Sequence, residues 1–396
     1  MFGGNVATKR IGILTGGGDV PGLNSVIKSV VYGGTTQGDY EFVGIRRGWQ
    51  GLTHAKLDDG FDQENFLPLN RNNTRTIDRY GGTFLHTSRT KPSRMKVAKL
   101  PDYLKAKAGQ CKEVEPGVLD VTPVVLENLQ KLKIDYLLAI GGDDTLSYAS
   151  VLDKLGFPVV AVPKTMDNDV QNTEYCIGFS TALTRAVDAI HRQRTTIGSH
   201  ERIGIFRIFG RDAGFTALYT AYVASVRCCI PEHPFQLGKL IDLLVTEKYQ
   251  NPSRYSVIVL SEGATWEGRE VQEYGEPDAY GHRKKMNIAE SFSDEIKKAS
   301  GEETVVSDLT YDLRSGSPDF LDKMIATTFA TMAFECIAGG GHGRMMAIRK
   351  GCYTDADIPD PGLGARRVEV STMYNTDRYR PDYSHKSGLP IFLTRA

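Results

Sequence analysis

Short apolar runs alternate along this chain with longer stretches whose apolar residues recur every three or four positions. Arg10 to Leu14 reads as a strand, broken by Thr15-Gly16-Gly17-Gly18-Asp19. Behind it Leu23, Val26, Ile27, Val30 and Val31 share one stripe of a helix. The unit recurs. Ile134 to Ile140 predicts a strand, Gly141-Gly142-Asp143-Asp144 a turn, and Leu146, Ala149, Leu152 and Leu155 the apolar side of the next helix. Phe157 to Val162 predicts a third strand, ending at Pro163-Lys164-Thr165-Met166-Asp167-Asn168-Asp169, with a long helix from about Ser180 to His191 or beyond. Ile203 to Ile208 and Tyr255 to Leu260 predict two more strands. They are closed by Phe209-Gly210-Arg211 and Ser261-Glu262-Gly263, and a helix begins near Phe215.

Strands alternating with amphipathic helices in this way predict an α/β fold whose parallel-type sheets are covered on both faces. At 396 residues the chain exceeds one ordinary core, so two Rossmann-like lobes are expected, with the active site in the cleft between them. The polar motifs follow strands, and the carboxyl ends of strands are where open α/β sheets bind ligands. Lys248 to Ser253 and Thr265 to Lys285 read as surface connections. The stretch from Gly351 onward, rich in proline, aspartate, tyrosine and arginine, reads as an irregular C-terminal extension.

Charge narrows the choice of ligand. The chain carries 48 Lys and Arg against 48 Asp and Glu, so no bulk field favours nucleic acid or an anionic membrane. An anion site must be a local gathering of arginine, lysine and backbone amides. The six cysteines show no C-x-x-C spacing, which gives neither a zinc set nor a disulfide framework. The N-terminal residues MFGGNVATKRIGIL lack a long apolar stretch, and no run reaches membrane-span length. A reducing cytoplasm is the expected location.

Gly16-Gly17-Gly18-Asp19, with Pro21-Gly22 behind it, allows backbone to approach phosphate oxygens at a helix N-terminus. A tight strand-to-helix turn explains the same glycines equally well, and the loop is neither G-x-G-x-x-G nor a Walker A sequence. Gly141-Gly142-Asp143-Asp144 adds two acids. Asp144 fits a helix-capping role, whereas Asp143 is the better candidate for a Mg²⁺ carboxylate beside phosphates. Asp167-Asn168-Asp169 alone would be an ordinary turn. At a strand end, after Pro163-Lys164, it suits a base beside an acceptor hydroxyl. Arg89, Arg202, Arg211 and Arg314 are each unremarkable as surface charges. Their value lies in an expected position at the same end of the sheets, since arginine suits multidentate phosphate recognition.

These residues together resemble the phosphofructokinase family over nearly the whole chain. The blocks GGGDVPGLN at 16–24, GGTFLHTSR at 81–89, GGDDT at 141–145, PKTMDND at 163–169, GR at 210–211, SEG at 261–263 and YDLRSGSP at 311–318 run in family order. The resemblance implies phosphoryl transfer to the 1-hydroxyl of fructose 6-phosphate, giving fructose 1,6-bisphosphate. By the match, Asp167 is the base, Thr165 helps hold the sugar and Asp143 binds Mg²⁺. Gly17 and Gly18 contact the donor phosphates, while Arg89 and Arg211 flank the migrating group. Phe209, Gly210, Arg211, Glu262, Tyr311 and Arg314 line the sugar-phosphate site. Arg202 matches an arginine that reaches a neighbouring subunit's site, which implies a homodimer or homotetramer. The family boundary puts residues 1–178 plus 314–365 in a donor lobe and 179–313 plus 366–396 in a sugar-phosphate lobe.

Three positions depart from the family pattern, two of them from its ATP-dependent form. Asp144 stands where ATP users carry the last glycine of Gly-Gly-Asp-Gly, and Lys164 where they carry the glycine of Pro-Gly-Thr. Both substitutions resemble pyrophosphate-dependent members. A carboxylate at 144 would repel a nucleotide α-phosphate by about 4 kcal/mol at 4 Å and an effective dielectric near 20. Pyrophosphate ends before that point, and Lys164 supplies charge for the shorter anion. The third departure is Val305, where many members carry a second cross-subunit arginine. The competing readings are an ATP-dependent phosphofructokinase and a non-catalytic regulatory subunit. A lipid or NAD kinase is also possible but should lack the T-x-D-N-D turn, and a dehydrogenase should carry G-x-G-x-x-G.

Overall fold

The computed structural model describes residues 8–57, 60–269, 273–276, 284–285 and 287–382. The first strand, Lys9–Thr15, is buried from Ile11 onward and stops at the glycines. The helix Leu23–Gln37 then buries Leu23, Val26, Ile27, Val30 and Val31, the stripe that the sequence spacing sets out. Five aliphatic side chains at about 1.5–3 kcal/mol each bind this helix firmly to the sheet. It ends at Gly38, whose φ of 88° lies in the left-handed region that terminates helices cheaply.

Seven strands form the first sheet, in the order Cys352–Asp357, Arg344–Arg349, Val159–Pro163, Tyr136–Gly141, Lys9–Thr15, Tyr40–Ile45, Phe66–Leu69. The inner five are mutually parallel, and the two edge strands pair antiparallel. Four parallel strands form the second sheet, in the order Arg227–Cys229, Ser256–Ser261, Ile203–Ile208, Thr304–Asp308. Helices cover both sheets, as the alternation of patterns predicted.

The chain leaves the first sheet at Gly178, where a φ of 101° starts the helix Phe179–Ser199. It comes back through the one-turn helix Tyr311–Arg314 into the helix Phe320–Ala338. Asp322 joins the two crossings. This fully buried carboxylate accepts from Tyr175 Oη at 2.6 Å, Gly178 N at 2.8 Å, Thr181 N at 2.8 Å and Thr181 Oγ1 at 2.5 Å.

Two of the expected loops are different. Lys248 lies in the helix Leu237–Gln250, and its ammonium is sealed against Glu302. The stretch after Gly351 is not irregular throughout: Cys352–Asp357 forms the edge strand of the first sheet. Further on, Tyr374–Asn375 pairs with Arg380–Pro381. That ribbon docks on the second sheet, with Cys228 N donating to Tyr379 O at 2.9 Å and Tyr374 Oη to Cys228 O at 2.7 Å. Thr265 to Lys285 and the end of the expected second lobe fall partly outside the described residues. Among the described residues no helix is long and apolar enough to cross a membrane.

Candidate active site

The first glycine loop is organised by its own neighbours. Gly16 N donates to Ile140 O at 3.0 Å, Gly17 N to Ser88 O at 3.1 Å, and Thr87 Oγ1 to Gly17 O at 2.6 Å. The Gly17 amide is therefore committed to holding the loop, which removes it as a phosphate donor. Gly18 has a different reason to lack a side chain, because a Cβ there would collide with the Arg314 guanidinium. Arg314 stacks 4.4 Å above the centre of the Phe209 ring, so it cannot simply step aside.

Lys164 closes the space between this loop and the second one. It follows the strand Val159–Pro163 and is only 4% exposed. Its Nζ donates to Gly18 O at 2.6 Å, and its N donates to Gly141 O at 2.9 Å. Burial, reinforced by Arg314, brings its pKa down to about 8.

Asp143 and Asp144 occupy the first turn of the helix Asp143–Lys154, behind Gly142. Burial raises the pKa of Asp143, Asp144 and Asp212 add to the rise, and Arg211 and Lys91 oppose it. At the turn after Lys164, Asp167 N donates to Thr165 Oγ1 at 3.2 Å. Asn168 has a φ of 54°. It is held there by its own amide, which donates to Glu174 O at 3.0 Å and accepts from Cys176 N at 2.8 Å. Asn168 is thus a structural residue that separates two acids.

Those acids are crowded. Asp167 is half-buried, but its Oδ1 is sealed without a hydrogen-bond partner. Burial raises its pKa well above the carboxylate range, Asp169 and Glu262 push the same way, and Arg314 and Arg211 pull it back. Asp169 is brought to about 6, by burial first and Asp143 second. Carboxylates from two glycine loops and the turn therefore face a few cations at the carboxyl ends of the strands.

The second lobe supplies the rest. Gly210 adopts a φ of 121°. Glu262 N donates to Ile208 O at 2.9 Å and Gly263 N to Gly210 O at 3.1 Å, which locks the two strand-end loops together. Arg211 Nε donates to Asp212 Oδ2 at 2.7 Å, and Arg207 lies 3.4 Å from Glu262. Tyr311, at the head of the Arg314 turn, is 79% exposed.

One expected position fails. Arg202 precedes the strand Ile203–Ile208, whereas Arg211 follows it, so the two lie at opposite ends of the sheet. Six strand residues separate them by roughly 20 Å. Arg202 does not join Arg89, Arg211 and Arg314 at one end, because an arginine's place in a loop does not tell which end of a strand the loop caps. Val305 sits in the strand Thr304–Asp308, opposite Gly204, as a partly buried apolar residue.

The sequence reading left Asp19, Lys91, Asp169 and Asp212 without roles. Asp19, Asp169 and Asp212 were legible as neighbours of named residues; Lys91 enters through the folding that brings its loop beside Asp143. Among the described residues no group of three or more His, Cys, Asp or Glu could hold a metal ion by itself. The donor set is instead the kind that suits Mg²⁺ shared with phosphate oxygens, with one or two carboxylates from the protein. Asp143 and Asp169 each raise a proton affinity that a cation would relieve, so the residues fit such an ion.

Comparison with known proteins agrees with this geometry. A family model described as "Phosphofructokinase" matches residues 10–337. The chain is 36% identical to a pyrophosphate–fructose 6-phosphate 1-phosphotransferase of Amycolatopsis methanolica, over 92% of this chain and 96% of that protein. It is 34% identical to ATP-dependent 6-phosphofructokinase 3 of Streptomyces coelicolor, over 86% of this chain and 91% of that protein. The crystal structure of a pyrophosphate-dependent phosphofructokinase from Marinobacter aquaeolei superposes with a TM-score of 0.73 at 16% identity, covering 98% of this chain and 96% of that one.

Proposed function

The chain belongs to the phosphofructokinase family, and from that premise we propose that it transfers a phosphoryl group from pyrophosphate to the 1-hydroxyl of fructose 6-phosphate, reversibly. Relatives named for either donor stand at similar identity, so the donor has to be argued from the site. The observation that carries it is Lys164. Its buried ammonium occupies the gap between the two glycine loops and bonds to Gly18 O. That fixed cation meets the charge of a short anion lying against the two loops. Asp144, in the first turn of the helix Asp143–Lys154, opposes the longer nucleotide chain through like-charge repulsion.

Asp167 is the base. Its raised pKa makes it a stronger proton acceptor than an ordinary carboxylate, and its unpartnered Oδ1 has not spent its capacity on a structural bond. Thr165 holds the turn through its bond to Asp167 N. Arg314, Arg211 and Arg89 offset charge on the moving phosphoryl group, in the manner by which phosphoryl transfer is mainly catalysed. Asp143 and Asp169 would hold Mg²⁺, which supplies charge neutralisation to the donor when bound. The first lobe, residues 1–178 plus 314–365, carries the donor and the second carries the sugar, against Glu262, Tyr311, Phe209 and Gly210. Arg202 serves the site of a neighbouring copy, because its own site lies at the far end of the sheet.

Initial rates with each donor on fructose 6-phosphate test this reading. Rapid turnover with pyrophosphate and little with ATP is expected. Turnover with ATP alone would overturn the donor, and sugar binding without transfer from either donor would favour a regulatory subunit.

A further inference from the structure

Beyond residue 337, where the family match ends, the chain returns to the back of the catalytic turn. Arg366 N donates to Asp169 O at 2.7 Å. The Arg366 guanidinium bonds through Nη2 to Asn168 O and, at 3.4 Å, to Glu174 O. The residue is 6% exposed, and its guanidinium lies 4.4 Å above the ring centre of Phe215, the first residue of the helix Phe215–Ala224. Its Nε and Nη1 are buried with no hydrogen-bond partner. An arginine so placed serves something other than surface solubility, since burying an incompletely bonded cation is costly.

The placement has a geometric consequence. Asn168 holds a left-handed backbone between Asp167 and Asp169, a conformation that costs free energy unless its surroundings fix it. Arg366 grips that residue's carbonyl and the next one, while Phe215 and the bond from Thr216 Oγ1 to Met166 O at 2.7 Å close the other side. We propose that Arg366 is a positioning residue of the transfer reaction: from the C-terminal segment it locks the backbone between Asp167 and Asp169. This rests on the catalytic reading of that turn.

The test compares full-length Arg366→Met, Arg366→Lys and Glu232→Gln with wild type, on whichever donor the wild type uses. Glu232 anchors the same segment through Val368 N at 2.8 Å without touching the turn. Arg366→Met is expected to lower kcat at least about tenfold, since small displacements of a reacting group are expensive. The KM for fructose 6-phosphate should stay within about threefold, so that the loss falls on kcat alone. Arg366→Lys, which keeps a cationic donor, should recover part of that kcat at unchanged KM, and Glu232→Gln should lower the melting temperature while kcat stays within about threefold. A folded Arg366→Met with wild-type kcat overturns the proposal, as does a Glu232→Gln that lowers kcat equally. If Arg366→Met does not fold, Arg366→Lys decides, and failure of both to fold makes the residue merely structural and ends the proposal. A wild type inactive with both donors would instead sink the phosphotransferase reading.

Discussion

The ammonium of Lys164 donates a 2.6 Å hydrogen bond to the carbonyl of Gly18, across the gap between two glycine loops that are far apart in sequence. Replacing both Lys164 and Asp144 by glycine should reopen that gap. Loss of one buried charge-assisted contact to the donor is worth about 1.5–3 kcal/mol, so the KM for pyrophosphate should rise roughly 10- to 150-fold. ATP turnover should appear in the same protein. Steady-state rates with both donors check this, and a double variant still blind to ATP removes the pair from donor choice.

Lys164 also sets a pH dependence. With its pKa brought down to about 8 by burial and Arg314, the free enzyme carries the ammonium below that pH and loses it above. The cation attracts pyrophosphate and the neutral amine does not. The kcat/KM for pyrophosphate should therefore fall about tenfold per pH unit above 8. Lys164→Met should lower the plateau and remove that limb.

Asp167→Ser removes the proposed base without disturbing the bond from its backbone to Thr165. Turnover should fall by about 10²- to 10⁴-fold while the KM for fructose 6-phosphate changes little. An unaltered kcat takes the residue out of its role.

Arg202 and Asp167 can be tested as a pair across subunits. Arg202→Ala and Asp167→Ser should each be nearly inactive alone. Co-expressed, they should regain activity, because one site of a mixed dimer then has both native residues. Absence of any recovery in isolated mixed oligomers argues that Arg202 does not act in a neighbour's site.

The buried Asp322 ties the two chain crossings, and Asp322→Ala would strand Tyr175 Oη, Gly178 N and both Thr181 donors. Each buried unsatisfied group costs about 1–3 kcal/mol. A loss of about 3 kcal/mol or more is expected as a lower urea midpoint with little change in slope. A midpoint equal to wild type shows that water replaces the carboxylate.

Periodicity read the strand, glycine loop and helix units of both lobes correctly, because side-chain spacing on a helix or strand is a local property. The same local pattern put Asp143, Lys164, Asp167, Arg211 and Glu262 at strand ends, where the structure brings them together. It missed Thr304–Asp308, whose mixed polar character hides a strand until neighbours pair with it, and it also passed over the apolar strands Tyr40–Ile45 and Arg344–Arg349.

Local composition alone thus determined the α/β class, the order of the motifs and the residue types available for phosphoryl transfer. Tertiary structure decided which of them meet: Arg314 against Gly18, Asp322 beneath Gly178, Arg366 behind Asn168, and Arg202 at the far end of its strand. Those relations join residues tens to hundreds of positions apart, or depend on strand direction. They arise from packing, which the spacing of side chains along one element does not encode.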